Sequence, residues 1–369
     1  MNKKLWLLVI AFVLALALAA CGGETAAPTE EAAAPPEEEV VEAPPEEAPV
    51  EEAPAEEGAM VYPEIEPLKI AMVMPSTTTD VSWSQSMYDS LIALQEHYGE
   101  DVIEIAYTEN MFNVTDAASA IRDYADSGYN LVLAHGAQYG STLFEVAPDY
   151  PETSFAWGTT TNYGADEGID NIFAYDPRAE EGGYVLGVIL ADLTESNIIG
   201  VVGPVDAGDA KLHVDGVVAG VNDTNPDAQL NISFTGSFGD TSLAAEAANT
   251  QIAAGADVLT GSSQQVVGAI GVAKEAGVPW LGIHSDQTPL APEVVKAMAI
   301  YDWEPALLDM ITSNQAGEYG GRVIKLTLAN GGMRMQYADD LPADILEAAK
   351  AAEAGIIDGS ITIEAPPRN

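Results

Sequence analysis

Short apolar runs broken by polar loops recur along most of the chain. The first is Leu68-Lys69-Ile70-Ala71-Met72-Val73-Met74, closed by Pro75. Such a run reads as a strand buried on both faces. After a polar loop, Ser82 and Gln85 stand three apart, the spacing of a capping box. Met87, Leu91 and Leu94 then form an apolar stripe at helical spacing, which predicts a helix over 84–98. Further strands are predicted at 102–107, 130–134, 154–157 and 171–175, with helices over 116–127, 141–149 and 177–193. The rhythm restarts at Ile198-Ile199-Gly200-Val201-Val202-Gly203-Pro204, again an apolar strand closed by proline, and a helix follows over 212–222. Strands near 229–235, 257–260 and 279–283 alternate with helices over 242–254 and 266–276. A strand over 298–301 and helices over 304–314 and 343–354 complete the pattern. Alternation of this kind predicts a parallel sheet covered on both faces, and its repetition predicts two similar α/β domains in tandem.

The first 65 residues depart from this rhythm. Residues 1–20 read as a signal peptide, with Asn2-Lys3-Lys4 as basic head and 16 apolar residues after it. That run is shorter than the roughly 20 residues needed to span a bilayer. Leu18-Ala19-Ala20-Cys21 looks like the site at which bacterial lipoprotein signals are cut and the cysteine is lipidated. Residues 21–65 then read as Cys21 plus a tether. Between Glu24 and Glu57 there are 13 glutamates and no base, and such Ala/Pro/Glu sequence cannot bury enough apolar surface to fold.

Charge narrows the choice of partner. The chain holds 58 Asp and Glu against 13 Lys and Arg, a net charge of -45. From Gly58 onward 45 acids still face 11 bases. Nucleic-acid binding needs clustered Lys and Arg, so no nucleic-acid partner is expected. Cys21 is the single cysteine, which excludes an intramolecular disulfide. The histidines are scattered, and neither a metal nor a cofactor is expected. No nucleophile elbow, zinc-protease, P-loop or dinucleotide motif is present. Gly261-Ser262-Ser263 reads as a strand-to-helix turn, and an enzyme is not expected.

What remains is a set of polar and aromatic residues at the carboxyl ends of predicted strands, where ligands bind in open α/β sheets. They are Asp80 and Trp83, then Gly136, Gln138 and Tyr139. In the second half they are Asp206 and Asp209, Phe238 and Asp240, and His284 and Asp286. Each alone suits a solvated loop, and Trp83 suits either a lid on the domain core or a platform for a flat ligand. If two such domains face each other, these loops line one cleft.

With these residues in view, the chain resembles the solute-binding lipoproteins of the basic membrane protein family, whose members include purine nucleoside and nucleobase receptors of ABC transporters. The resemblance runs over about 68–366. Its motifs are Asp80-Val81-Ser82-Trp83-Ser84-Gln85, Asp176-Pro177-Arg178-Ala179-Glu180-Glu181-Gly182-Gly183-Tyr184-Val185-Leu186-Gly187, Gly236-Ser237-Phe238-Gly239-Asp240 and Leu281-Gly282-Ile283-His284-Ser285-Asp286. It implies a type I periplasmic binding protein: two doubly wound parallel-sheet lobes joined by crossing hinge strands. The expected bounds are 66–175 with 286–315 for one lobe, and 176–285 with 316–369 for the other.

The family's first-helix aromatic falls on Trp83 and its second-lobe aromatic on Phe238, which sandwich the base in nucleoside-binding members. Its loop acids fall on Asp80 and Asp286, its third-strand turn on Gly136, and its crossover glutamate on Glu181. Ser84, Gln85, Asp240, His284 and Asp302 complete the expected ligand set. Nucleoside binders commonly have Phe-Asn at Trp83-Ser84, an aspartate at His284, and a lysine near Tyr301-Asp302-Trp303. The variants here resemble the branch that takes a free base. The resemblance thus implies a monomeric lipoprotein, anchored through Cys21 on the outer face of the membrane, that passes a purine to an ABC permease. The alternatives in view are another solute such as a sugar, or a ligand-sensing signalling lipoprotein.

Overall fold

The computed structural model describes residues 60–364. The expected signal peptide, Cys21 and nearly all of the tether lie outside the described residues. The first half of the fold runs β1 (Leu68–Val73), α1 (Trp83–Tyr98), β2 (Ile103–Thr108), α2 (Val114–Asp126), β3 (Leu131–Ala134), α3 (Gly140–Val146), β4 (Ser154–Gly158) and β5 (Ile172–Pro177). The second runs α4 (Ala179–Leu193), β6 (Ile198–Gly203), α5 (Gly208–Thr224), β7 (Gln229–Phe234), α6 (Thr241–Ala253), β8 (Val258–Gly261), α7 (Val266–Ala276), β9 (Trp280–His284) and β10 (Val295–Tyr301). The chain ends with α8 (Glu304–Gln315), β11 (Arg322–Leu326), β12 (Met333–Tyr337) and α9 (Ala343–Ile357).

These strands build two six-stranded sheets, ordered β11-β5-β4-β3-β1-β2 and β12-β10-β9-β8-β6-β7. All pairs are parallel except β10 with β12. Helices cover both faces, so central strands such as β1 and β3 are apolar almost throughout rather than alternating. The fold class is therefore two doubly wound α/β lobes.

The lobe bounds differ from the expected ones. Residues over 286–303 were expected with the first lobe, but β10 pairs in register with β9, Ala299 opposite Ile283 and Ile300 opposite His284. The chain returns only after Tyr301, when α8 packs on α1 and on β3. It then adds β11 to the first sheet beside β5 and β12 to the second. Neither β11 nor β12 was expected as a strand. Both are short edge strands with charged residues, Arg322, Lys325 and Arg334. Period-two apolar patterning is weak on strands of that kind.

The Glu180-Glu181-Gly182-Gly183 stretch has a packing explanation. Helices α4 and α5 lie backbone to backbone. A Cβ on Gly183, Gly216 or Gly220 would collide with the carbonyl oxygens of His213, Glu180 and Tyr184 respectively. Glu181 accepts from the Leu328 N–H at 2.8 Å. It ties the start of α4 to the segment after β11, and so two of the three lobe crossings to each other. Among the described residues no helix is long and apolar enough to cross a membrane.

Candidate functional site

Loops at the carboxyl ends of both sheets enclose one cavity of about 280 Å³, close to the low end of the ~300–1,000 Å³ range of small-molecule sites. The first lobe contributes Pro75, Trp83, Phe112, Gly136, Ala137, Gln138 and Thr159. The second contributes Val205, Ala207 to Ala210, Phe238, Ser262, Ser263, Gln264 and His284. The wall is mainly apolar and aromatic, and among the described residues Asp209 is the one carboxylate on it. Three non-glycine residues in or beside these loops hold positive φ: Val81 at 54°, Ser263 at 76° and His284 at 87°. For a β-branched residue such as Val81 this is a genuine outlier, and such residues cluster at ligand sites.

Asp80 organises the first-lobe loop. Its Oδ1 accepts from the N–H groups of Ser82 and Gln85, each at 3.0 Å, and its Oδ2 from Ser84 at 3.1 Å. A carboxylate satisfying the first amides of α1 is stabilised further by the positive end of the helix dipole. The expected capping box does not form. Ser82 makes no side-chain cap, because its hydroxyl is 2.9 Å from His284 Nδ1 of the second lobe.

Trp83, held at the start of α1, is 8% exposed and serves as core and wall together. Its ring stacks on His135 with centroids 4.3 Å apart, and Trp303 meets its edge at 5.4 Å. Trp83 Nε1–H donates to the His135 carbonyl at 3.1 Å, while His135 Nε2 donates to the Trp83 carbonyl at 2.9 Å. A carbonyl only accepts, so Nδ1 of neutral His135 accepts from Tyr175 Oη at 2.8 Å. Burial, which disfavours the charged ring, pushes His135 down to about 3. Trp303 pins α8 to α1, donating from its indole N–H to Ser86 Oγ at 2.9 Å and from its backbone N–H to Ser90 Oγ at 3.0 Å.

Phe238 arrives from the opposite side, in the loop between β7 and α6. Its carbonyl accepts from Ser263 Oγ at 3.1 Å and from the Gln265 N–H at 2.9 Å, so the loop is fixed although the ring is 40% exposed. Phe112 of the first lobe approaches the same loop, its Cζ 3.5 Å from where a Cβ on Gly239 would stand. The lobes also touch through hydrogen bonds from Ser285 Oγ to the Ser82 carbonyl at 2.8 Å and from Gln287 Nε2 to the Val81 carbonyl at 3.4 Å.

A family model described as "ABC transporter substrate-binding protein PnrA-like" matches residues 68–365. The chain belongs to this family, Bmp. Among its relatives, a purine-binding protein of Brucella abortus is 26% identical over 296 residues, covering 80% of this chain and 83% of that one. The transcriptional activator protein med of Bacillus subtilis is 27% identical over 239 residues, covering 64% and 72%. An ABC transporter solute-binding protein of Aeropyrum pernix shares the fold, with TM-score 0.70, 19% identity and coverage of 81% and 94%.

In this Bmp protein, Trp83, Gly136, Phe238 and His284 of the expected ligand set come together on the cavity. The other residues of the expected ligand set do not line it. Asp80 faces the α1 amides, Ser84 is buried beneath them, and Gln85 accepts from the Val81 N–H at 2.9 Å. Glu181 sits at the lobe crossings. Asp240 caps α6 through the Ser242 and Leu243 amides. Asp286 accepts from the Thr288 N–H, and Asp302 from the Glu304 N–H. Short acids in these loops turn back onto nearby amides, the ordinary fate of Asp at turns and helix starts. Phe112, Thr159 and Ser262-Ser263-Gln264 were not picked out as ligand residues. The signal for Phe112 was an aromatic in the polar run Glu109-Asn110-Met111-Phe112-Asn113. Gly261-Ser262-Ser263 read as a plain turn, and nothing marked Gln264.

Proposed function

We propose that this ABC transporter substrate-binding protein captures a purine, as free base or nucleoside, between its two lobes and delivers it to a membrane permease. The observation that carries this reading is that Trp83 and Phe238, from matched loops of the two sheets, wall the same small cavity. Two aromatic faces on one planar solute are the arrangement that favours a base. The Brucella abortus relative is named for purine binding, which supports the same ligand class. The protein would act as a monomer outside the membrane, held through lipid on Cys21. Detergent partition that persists in Cys21→Ser would refute the anchor. The ligand is tested by mass spectrometry of small molecules released from the purified, denatured protein, followed by titration with purines, pyrimidines and sugars. A sugar recovered in place of a purine, or bound more tightly, overturns the assignment. The relative named as a transcriptional activator keeps a second reading open, in which the liganded form signals instead of feeding a permease. Deleting the permease gene separates the two, because uptake is lost only under the first reading.

A further inference from the structure

Two polar side chains of the second lobe meet at the cavity wall. Asp209 lies in the first turn of α5, and His284 ends β9. Both line the cavity, and His284 Nε2 stands 3.5 Å from Asp209 Oδ2. An ionised carboxylate only accepts hydrogen bonds, so the imidazole presents Nε2–H on that side. At 3.5 Å the contact is at the outer limit of a hydrogen bond. The other imidazole nitrogen is held from across the cleft, Nδ1 lying 2.9 Å from Ser82 Oγ. The φ of +87° at His284 is a conformation that persists only where its surroundings enforce it.

We infer that Asp209 and His284 read one edge of the ligand, Asp209 accepting from a ligand N–H while His284 Nε2–H donates to the acceptor beside it. Neighbouring acceptor and donor atoms of this kind occur on purine edges, as in N7 and the 6-amino group of adenine. Ser82 is a positioning residue in this scheme. It reaches His284 from the other lobe, so the reader is assembled only when the lobes are together. Selection then depends on a specific ligand N–H and not only on stacking, which accepts any flat ring.

The inference rests on the purine reading, and the test separates the two. Wild type is first titrated by calorimetry with adenine, hypoxanthine, guanine and xanthine and with their nucleosides. If none binds, the purine reading falls and this inference falls with it. The tightest purine is then compared with an analogue of the same size lacking one N–H, such as 6-methylpurine for adenine. Losing the N–H that faces Asp209 should weaken wild type by about 10- to 150-fold, the range for hydrogen bonds to charged groups. In Asp209→Ala the parent purine should be weakened comparably, and the analogue should lose less than about threefold more, because the two changes remove one interaction. Asp209→Leu, which keeps roughly the size of the side chain but offers no acceptor, repeats the measurement should the alanine variant melt early. Ser82→Ala should weaken the parent purine yet keep the full penalty for the analogue. An equal penalty in wild type and Asp209→Ala, or tight binding of the parent purine by Asp209→Ala, overturns the inference.

Discussion

Phe238→Ala separates the wall of the cavity from the core of the protein. The ring is 40% exposed, so truncation gives up only part of the ~1.5–3 kcal/mol that full burial of such a side chain contributes. A loss of about 1–2 kcal/mol in folding stability is therefore the upper range. The loop itself is held by the Phe238 carbonyl, through Ser263 Oγ and the Gln265 N–H, and alanine keeps that carbonyl. Binding should fall much further in proportion. Loss of one aromatic face costs about 1–3 kcal/mol, which is roughly 5- to 150-fold in affinity. Phe238→Tyr should restore most of it. Trp83→Ala is a poorer probe, because Trp83 is almost fully buried, stacked on His135 and bonded to its carbonyl. Removing a buried Trp costs about 3–5 kcal/mol of stability, so binding and folding would fail together. The assay is calorimetric titration with the released ligand, alongside urea unfolding of the same samples. Affinity of Phe238→Ala within twofold of wild type would refute the two-wall reading. A stability loss above about 4 kcal/mol would show that the ring belongs to the core.

Two further outcomes follow from the buried polar groups. Asp80→Ala strands three amide donors, so beyond a lost helix cap of about 1–2 kcal/mol each buried donor adds about 1–3 kcal/mol. Urea unfolding should show a loss of at least about 3 kcal/mol, with Asp80→Asn in between, and wild-type stability combined with lost binding would return Asp80 to the ligand. Burial also holds His135 and His213 down to about 3 each. Unfolded histidine titrates near 6.5, so below that pH the unfolded chain binds protons that the folded chain refuses. The stability from these two groups is complete above about pH 6.5 and is lost as pH falls toward 3, at up to about 1.4 kcal/mol per pH unit for each histidine. Replacing His213 with Gln should flatten the pH dependence of stability between pH 6.5 and 5 by one histidine's share, and an unchanged slope would mean the ring is protonated in the fold.

The strand–helix rhythm was legible in the sequence because it depends on local chemistry. Apolar runs closed by Pro75 and Pro204, and the Met87, Leu91, Leu94 stripe, report burial and period without reference to distant residues. The cavity-facing ends of β1, β3, β7 and β9 followed from that rhythm, and with them the placing of Trp83, Gly136, Phe238 and His284 on its wall. The pairing of β10, by contrast, is decided by hydrogen bonds to β9, and a buried apolar strand carries no mark of its neighbour. β11 and β12 are edge strands whose charges hide the alternation. The roles of the acids were equally out of reach. Asp80, Asp209 and Asp286 are alike as letters after strand ends, but Asp80 and Asp286 turn onto amides two to five residues away, while Asp209 looks into the cavity beside His284. Which way a short side chain turns depends on the donors that the folded backbone brings within 3 Å or so of it, and only the tertiary structure sets those distances.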